Sequence, residues 1–136
     1  HLPEARVVGR ACPLFVPLAE EGWVDNDVAR ATAAAYLGDL RREGIDTLVL
    51  GYTHYPLLQT VIGETMGPGV ALVDSARAPA SVVRARLEER GLLSGGAPPG
   101  GEDQFFVTDS SERFREVGSR FLGGPLARLE QIDIMD

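Results

Sequence analysis

The stretch that decides the fold is Asp46-Thr47-Leu48-Val49-Leu50-Gly51, a short apolar run between an acidic residue and a glycine. Such a run is typical of a strand that is buried on both faces of a parallel sheet. A second run of this kind, Val70-Ala71-Leu72-Val73-Asp74, follows one helical segment later. Strands that alternate with helices predict an α/β fold with a mostly parallel sheet.

Helical segments separate the predicted strands. Residues from about 26 to 43 carry apolar side chains at helical spacing, and Gly44 supplies a stop. A further helix is predicted at about 56–66, because Pro56 suits the first helical position. Another is predicted at about 79–90, before a glycine.

The last part of the chain repeats the pattern of strand and helix. Strands are predicted at 104–108 and 129–134. Asp109 is predicted to cap the helix between them, and its buried stripe is expected to consist of Phe114, Val117, Phe121 and Leu122. With a β-rich run at 6–9, the predicted order is β-α-β-α-β-α-linker-β-α-β. The Gly- and Pro-rich residues 94–103 are the expected flexible loop.

The composition of the 136-residue chain excludes several functions. Its net charge of −7 argues against a nucleic-acid surface. All 13 basic residues are Arg, so this chain has no lysine to form a Schiff base with pyridoxal phosphate. The apolar runs are too short to span a bilayer. A single cysteine, Cys12, forms no internal disulfide and fits a reducing, cytoplasmic setting.

Metal and processing signals are also missing from the sequence. One thiol and two histidines are too few for a structural zinc site, so no metal or other cofactor is predicted. The chain begins at His1, without an initiator methionine or a signal-peptide pattern. We therefore expect that an upstream part of the protein is absent.

The strongest candidate site is the loop Gly51-Tyr52-Thr53-His54-Tyr55-Pro56, which follows the first decisive strand. Ligands of parallel sheets bind beyond the carboxyl ends of the strands. Thr53 offers a hydroxyl, His54 a group that titrates near neutral pH, and the next helix a positive dipole end that favours an anion. The alternative is an ordinary turn with Thr53 as a cap and His54 packed or solvated. The residues alone favour that alternative.

Other reactive residues give weaker signals. Glu20 and Glu21 precede Gly22, and either carboxylate could face a cleft, although a solvated pair is the simpler interpretation. Cys12 has apolar neighbours, for which a buried, unreactive thiol is the default.

Several segments together resemble glutamate racemase, the cofactor-independent enzyme that makes D-glutamate for peptidoglycan. They are Ala11 to Gly22, Ile45 to Gly51, Thr53 to Leu58, Val73 to Ala76, Phe105 to Asp109 and Glu130 to Ile134. The resemblance covers nearly the whole chain and matches the C-terminal portion of the family. It implies part of a pseudosymmetric fold of two α/β domains. Residues 1–68 would belong to the second domain, and residues 69–136 would return to the first.

The resemblance also implies a mechanism and a set of site residues. In the family, two cysteines on opposite faces of the glutamate α-carbon remove and deliver a proton, and inversion through a planar carbanion requires such a pair. Thr53 and His54 keep their family identities, which implies contacts with substrate and assistance to the catalytic group. Glu21 is the first choice, and Glu20 the second, for the match to an acidic residue of the family. A homodimer is implied as well.

One residue departs from the family pattern. The family motif reads Gly-Cys-Thr-His-Tyr-Pro, and this sequence has Tyr52 at the position of the motif's cysteine. A phenol, with a reference pKa of about 10, ionises less readily than a thiol at about 8.5, and its ring is bulkier. We therefore expect little or no racemisation by this chain. The alternatives are an aspartate racemase-like isomerase and a pseudoenzyme that binds an amino acid or a protein partner.

Overall fold

Parallel strand pairs organise the computed structural model, which describes residues 4–94 and 103–134. The strands form two separate two-stranded sheets. The chain divides into two compact units, His1–Asp74 and Ser75–Asp136, and each unit contains one of the sheets. The predicted α/β class with parallel strands is confirmed.

Within residues 4–74, the first unit consists of three α-helices, one 3₁₀ helix and two strands. In chain order they are α1 (Phe15–Glu20), α2 (Asp27–Arg42), β1 (Thr47–Leu50), the 3₁₀ helix (Tyr55–Leu58), α3 (Gln59–Met66) and β2 (Ala71–Asp74). Strand β1 pairs with β2 in a register that sets Thr47 opposite Ala71. Helices α2 and α3 pack against each other. The core of this unit includes Phe15, Leu37, Leu50 and Ile62.

Helix α2 has well-defined ends because its flanking residues satisfy the backbone there. The Asn26 side chain accepts a hydrogen bond from the backbone N–H of Ala29 at 2.9 Å, which caps the first turn. After the helix, Gly44 adopts a φ of 73°, a conformation that L side chains rarely adopt. The predicted helix at 26–43 is therefore confirmed with nearly the predicted ends.

The described residues of the second unit form two helices and two strands: α4 (Arg77–Glu89), β3 (Gln104–Val107), α5 (Ser111–Leu122) and β4 (Arg128–Gln131). Strand β3 pairs in parallel with β4. Among the described residues of this unit, Val107 and Leu126 are the buried apolar side chains. The predicted loop at 94–103 lies, apart from its two ends, outside the described residues.

Three predictions about local structure are wrong. Residues 6–9 form no strand, and Val7 is 88% exposed, so the run has no sheet against which to pack. Strand β1 is not buried on both faces, because Val49 is 59% exposed while Leu50 is buried. Helix α5 is capped by Ser110, whose hydroxyl accepts from the Arg113 N–H, and not by Asp109.

Two further expectations differ from the structure. The stripe predicted to be buried on α5 is largely exposed: Phe114, Phe121 and Leu122 are 41–62% accessible. The helix predicted at 56–66 begins as a 3₁₀ turn and becomes α-helical only at Gln59. The boundary between the two compact units falls after Asp74. The assignment of 1–68 and 69–136 to two racemase domains stays a prediction.

Candidate functional site

The candidate loop lies at the carboxyl end of β1, on the surface of the first unit. Its backbone is closed by two hydrogen bonds, from the Tyr55 N–H to the Tyr52 carbonyl and from the Leu57 N–H to the His54 carbonyl, both at 3.1 Å. These bonds form the 3₁₀ turn that follows the strand. Tyr52 and Thr53 are exposed, and His54 is half-buried. The loop is therefore fixed in shape and open to a ligand.

His54 is held from two sides by neighbouring polar groups. The Thr53 hydroxyl lies 3.1 Å from the imidazole Nδ1, and a Glu20 carboxylate oxygen lies 3.5 Å from Nε2. The imidazole therefore lies between a hydroxyl on its Nδ1 side and a carboxylate on its Nε2 side. The arrangement links hydroxyl, imidazole and carboxylate in one row, a geometry suited to proton transfer and to the binding of a polar ligand.

Helix α1 decides which of the two adjacent glutamates reaches His54. Glu20 is the last residue of α1 and contacts the imidazole, whereas Glu21 is exposed at the C-cap. The sequence analysis ranked Glu21 before Glu20 as the acidic site residue. In the structure, Glu20 is the glutamate that contacts His54. The sequence carried no signal for this choice, because α1 itself was not predicted as a helix. A role for either carboxylate in catalysis stays a prediction.

An aromatic cluster anchors the loop to the core. The Tyr52 ring centre lies 6.0 Å from that of His54 and 5.6 Å from that of Tyr55. The Tyr55 ring packs edge-on against the fully buried Phe15 at 5.3 Å. The Tyr55 hydroxyl donates to the Cys12 carbonyl at 3.3 Å. Tyr55, which sequence reasoning did not single out, therefore positions the residues that precede it.

Cys12 is a structural residue in this site. Its side chain is buried, and its thiol donates to the Arg10 carbonyl at 3.7 Å. Burial raises the pKa of the Cys12 thiol above its ordinary value, and the nearby charge of Arg10 opposes this only in part. A thiol with a raised pKa is a poor nucleophile near neutral pH. The buried, unreactive thiol expected from the sequence agrees with this environment.

Residues 4–94 and 103–134 contain no group of three or more His, Cys, Asp or Glu side chains arranged to hold a metal ion. None of the described helices combines the length and apolar character needed to cross a membrane.

Fold and site define a parallel α/β protein with a cluster of titratable side chains at the carboxyl end of a strand. No protein-family model matches the chain. Individual sequences do match it. The glutamate racemase of Geobacter metallireducens is 54% identical over 132 residues, which cover 97% of this chain and 48% of that protein. The glutamate racemase of Syntrophus aciditrophicus is 46% identical, and the match again covers 97% of this chain and 48% of that protein.

Solved structures agree with these sequences. Glutamate racemase from Francisella tularensis, in complex with D-glutamate, matches with a TM-score of 0.84 at 32% identity over 98% of this chain and 49% of that one. Glutamate racemase from Thermus thermophilus, in complex with β-chloro-D-alanine, matches with a TM-score of 0.77 at 42% identity over 92% of this chain. The chain is thus homologous to the C-terminal portion of the glutamate racemases and spans about half of their length.

Proposed function

We propose that this chain supplies one flank of a glutamate racemase active site. In that reaction, L- and D-glutamate interconvert by proton transfer between two groups on opposite faces of the α-carbon, without a cofactor. The product D-glutamate would serve peptidoglycan synthesis, and so cell-wall formation and cell shape, in the cytoplasm. The observation that carries the proposal is the row formed by Thr53, His54 and Glu20 beyond β1, in a chain 54% identical to a glutamate racemase.

The residues of the loop have distinct proposed roles. The Thr53 hydroxyl, exposed and adjacent to the imidazole, is placed to bind the carboxylate or amine of an amino acid. His54 would assist the group at position 52 in gaining or losing a proton. A glutamate would orient the imidazole. Two glutamates are candidates for this role. Glu20 contacts the imidazole, and Glu21 is the residue that the family resemblance implies.

Position 52 limits what the site can do. Tyr52 is 53% exposed, and its ring leans over those of His54 and Tyr55. A phenol has a higher reference pKa, about 10, than a thiol, about 8.5, so a tyrosine ionises less readily than the cysteine that the family places here. Two-thiol racemisation is impossible with this residue. The exposed ring favours a second candidate function, a pseudoenzyme that binds glutamate without turnover.

Proton exchange is the first test of these proposals. The chain is incubated with L-glutamate, D-glutamate or L-aspartate in D₂O, and loss of the α-proton signal is followed by NMR. We expect no exchange above the rate without protein. Exchange of glutamate at an enzymatic rate would overturn the assigned effect of Tyr52, and exchange of aspartate alone would favour the aspartate racemase-like alternative.

A complementation experiment tests the racemase assignment itself. The chain is co-expressed with the remaining half of the Geobacter metallireducens racemase, with and without Tyr52→Cys. Racemisation by the Tyr52→Cys pair, and its loss on a further His54→Asn change, would support the proposal. A folded pair that stays inactive and binds no glutamate by calorimetry would contradict it. Saturable binding without turnover by both pairs would favour the pseudoenzyme.

The homodimer implied by the resemblance is part of this proposal. Its partner would be a second copy of the chain, and no nucleic acid or membrane is proposed as a partner.

A further inference from the structure

The side chains of Thr53, His54 and Glu20 stand in the order that activates a hydroxyl as a nucleophile. Thr53 Oγ1 lies 3.1 Å from Nδ1 of His54, and a Glu20 oxygen lies 3.5 Å from Nε2 on the other side of the ring. In hydrolases with a hydroxyl nucleophile, a base takes the hydroxyl proton and a carboxylate orients the base. The three residues therefore have the contacts of a catalytic triad, although two of them are consecutive in the chain.

The three groups differ in exposure in the way that such a reaction requires. Thr53 is exposed, so its hydroxyl can meet a substrate. The side chains of His54 and Glu20 are 20% and 28% exposed, and this partial burial strengthens the attraction between an imidazolium and a carboxylate. The two backbone hydrogen bonds that close the 3₁₀ turn fix the loop, so the hydroxyl and the ring are held in place before a ligand arrives.

An exposed aromatic ring precedes this hydroxyl in the chain. The Tyr52 side chain is 53% exposed, and its ring is tilted by 38° to the ring of His54 and by 34° to the ring of Tyr55. Aromatic rings attract one another in offset and edge-on arrangements. The exposed part of the Tyr52 ring can therefore hold an aromatic group of a ligand next to Thr53, which favours an ester whose alcohol is a phenol.

We propose that this loop hydrolyses small esters of phenols. Thr53 is the nucleophile, His54 is the general base and then the general acid, and Glu20 is a positioning residue that faces the charged imidazole. Tyr52 provides the surface for the aryl group. This activity is distinct from racemisation, because it involves no α-proton and needs no cysteine at position 52.

The reaction has two steps. In the first, Thr53 Oγ1 bonds to the ester carbonyl carbon, His54 Nδ1 takes the hydroxyl proton, and the bond to the phenol oxygen breaks, so the phenol leaves with that proton. In the second, the imidazole takes a proton from water, the water oxygen bonds to the acyl carbon, and the carboxylic acid leaves as Oγ1 regains a proton. Within the described residues, the Thr53 backbone N–H makes no hydrogen bond, and the N–H of a nucleophile is a common donor to the carbonyl oxygen in such steps.

Hydrolysis of p-nitrophenyl acetate by the 136-residue chain tests the proposal. We expect saturable release of p-nitrophenol above the rate in buffer. Thr53→Ala and His54→Asn are each expected to lower kcat by about a hundredfold or more, whereas Thr53→Ser keeps the hydroxyl and is expected to retain activity. Thr60→Ala, at an exposed position on α3, is the matched control and is expected to leave kcat unchanged. Circular dichroism verifies that each variant is folded.

Two further variants separate binding of the ester from its chemistry. Tyr52→Leu removes the aromatic surface and is expected to raise KM by about threefold to tenfold with kcat nearly unchanged. Glu20→Gln removes the charge that faces the imidazolium and is expected to lower kcat by about tenfold or more with KM unchanged. A merely structural role of either residue would not divide the effects in this way.

Covalent labelling identifies the nucleophile. Diethyl p-nitrophenyl phosphate transfers its phosphoryl group to an activated hydroxyl, and the chain has no lysine to compete for it. Mass spectrometry is expected to find the label on Thr53, and to find none there in His54→Asn. The proposal is overturned by hydrolysis no faster than in buffer, by full activity of Thr53→Ala, or by a label on Tyr52 in place of Thr53. None of these outcomes involves glutamate, so the racemase proposal is judged separately by proton exchange.

Discussion

The two units of this molecule have similar local sequence patterns and very different interiors. The first unit buries a continuous cluster that runs from Cys12 to Met66. In the described part of the second unit, Val107 and Leu126 are the buried apolar residues, and α4 and α5 bury none. The difference teaches that apolar periodicity establishes where a helix forms, whereas burial requires a second surface of matching size.

The composition of each exposed surface shows the same contrast. Helix α2 buries Leu37 and Leu40 and leaves Val28 as its exposed large aliphatic side chain. Helices α4 and α5 leave Val82, Val83 and Phe114 more than 40% exposed. A set of exposed large apolar residues is typical of a surface that contacts another polypeptide. The chain spans about half the length of the relatives that it matches.

The largest expected effect separates the two cores directly. Phe15→Ala removes a fully buried ring that packs against Tyr36 and Tyr55. We expect the free energy of unfolding of the first unit to fall by about 3–5 kcal/mol. Urea unfolding followed by the fluorescence of Trp23, the one tryptophan of the chain, measures it. The matched control Phe114→Ala, on the exposed face of α5, is expected to change stability by no more than about 0.5 kcal/mol.

The next effect tests how much core the second unit has. Leu126→Ala deletes a buried side chain and is expected to cost about 2–3 kcal/mol, the lower part of the range for such changes. Hydrogen exchange of the Ile132 N–H, which donates to the Val107 carbonyl at 2.8 Å, reports the loss. Leu122→Ala, at a position 62% exposed, is the control. Equal costs at 122 and 126 would mean that the outer face of α5 is covered, and the contrast between the units would fail.

Substitutions at the helix caps of the two units are expected to change stability by smaller amounts. The Asn26 side chain accepts at 2.9 Å, whereas the Ser110 hydroxyl accepts at 3.4 Å, beyond the usual hydrogen-bond length. We expect Asn26→Ala to cost about 1 kcal/mol and Ser110→Ala about half of that. Thermal unfolding followed by circular dichroism compares the two. A larger loss for Ser110→Ala would contradict the ranking.

The last expected effect concerns the pH dependence of stability and is confined to the first unit, which holds every tyrosine and the cysteine. Burial raises the pKa of both Tyr55 and Cys12 in the folded state. The unfolded chain therefore loses these protons first. In the unfolded chain the reference pKa values are about 8.5 for the thiol and 10 for the phenol. The stability that depends on these two groups is fully present below those pKa values and is lost as the pH rises through and beyond them.

Tyr55→Phe tests this alkaline loss. The variant removes the ionisable group and the hydrogen bond to the Cys12 carbonyl, so we expect a cost of about 1 kcal/mol at neutral pH and a shallower decline above pH 9. Urea unfolding at a series of pH values measures both. The exposed Tyr52→Phe is the control and is expected to leave the pH dependence of stability unchanged. An equal change in both variants would contradict the role of burial.

The sequence by itself determined the α/β class, the order of the elements from 26 onward and the loop that carries Tyr52, Thr53 and His54. These features are local, since they depend on the period of apolar residues, on glycine and proline at element ends, and on a motif of consecutive residues. The resemblance to the glutamate racemases rested on such consecutive residues too, and the 54% identical relative agrees with it.

Only the tertiary structure decided which glutamate meets His54, that Tyr55 ties the loop to Phe15, and that the apolar side of α5 is exposed. Each of these depends on a contact between segments distant in the chain. Glu20 and Glu21 are adjacent in sequence, so only the direction of α1 relative to β1 could separate them. A helical period states that a face is apolar, but the residues that cover it lie elsewhere in the chain or in a partner.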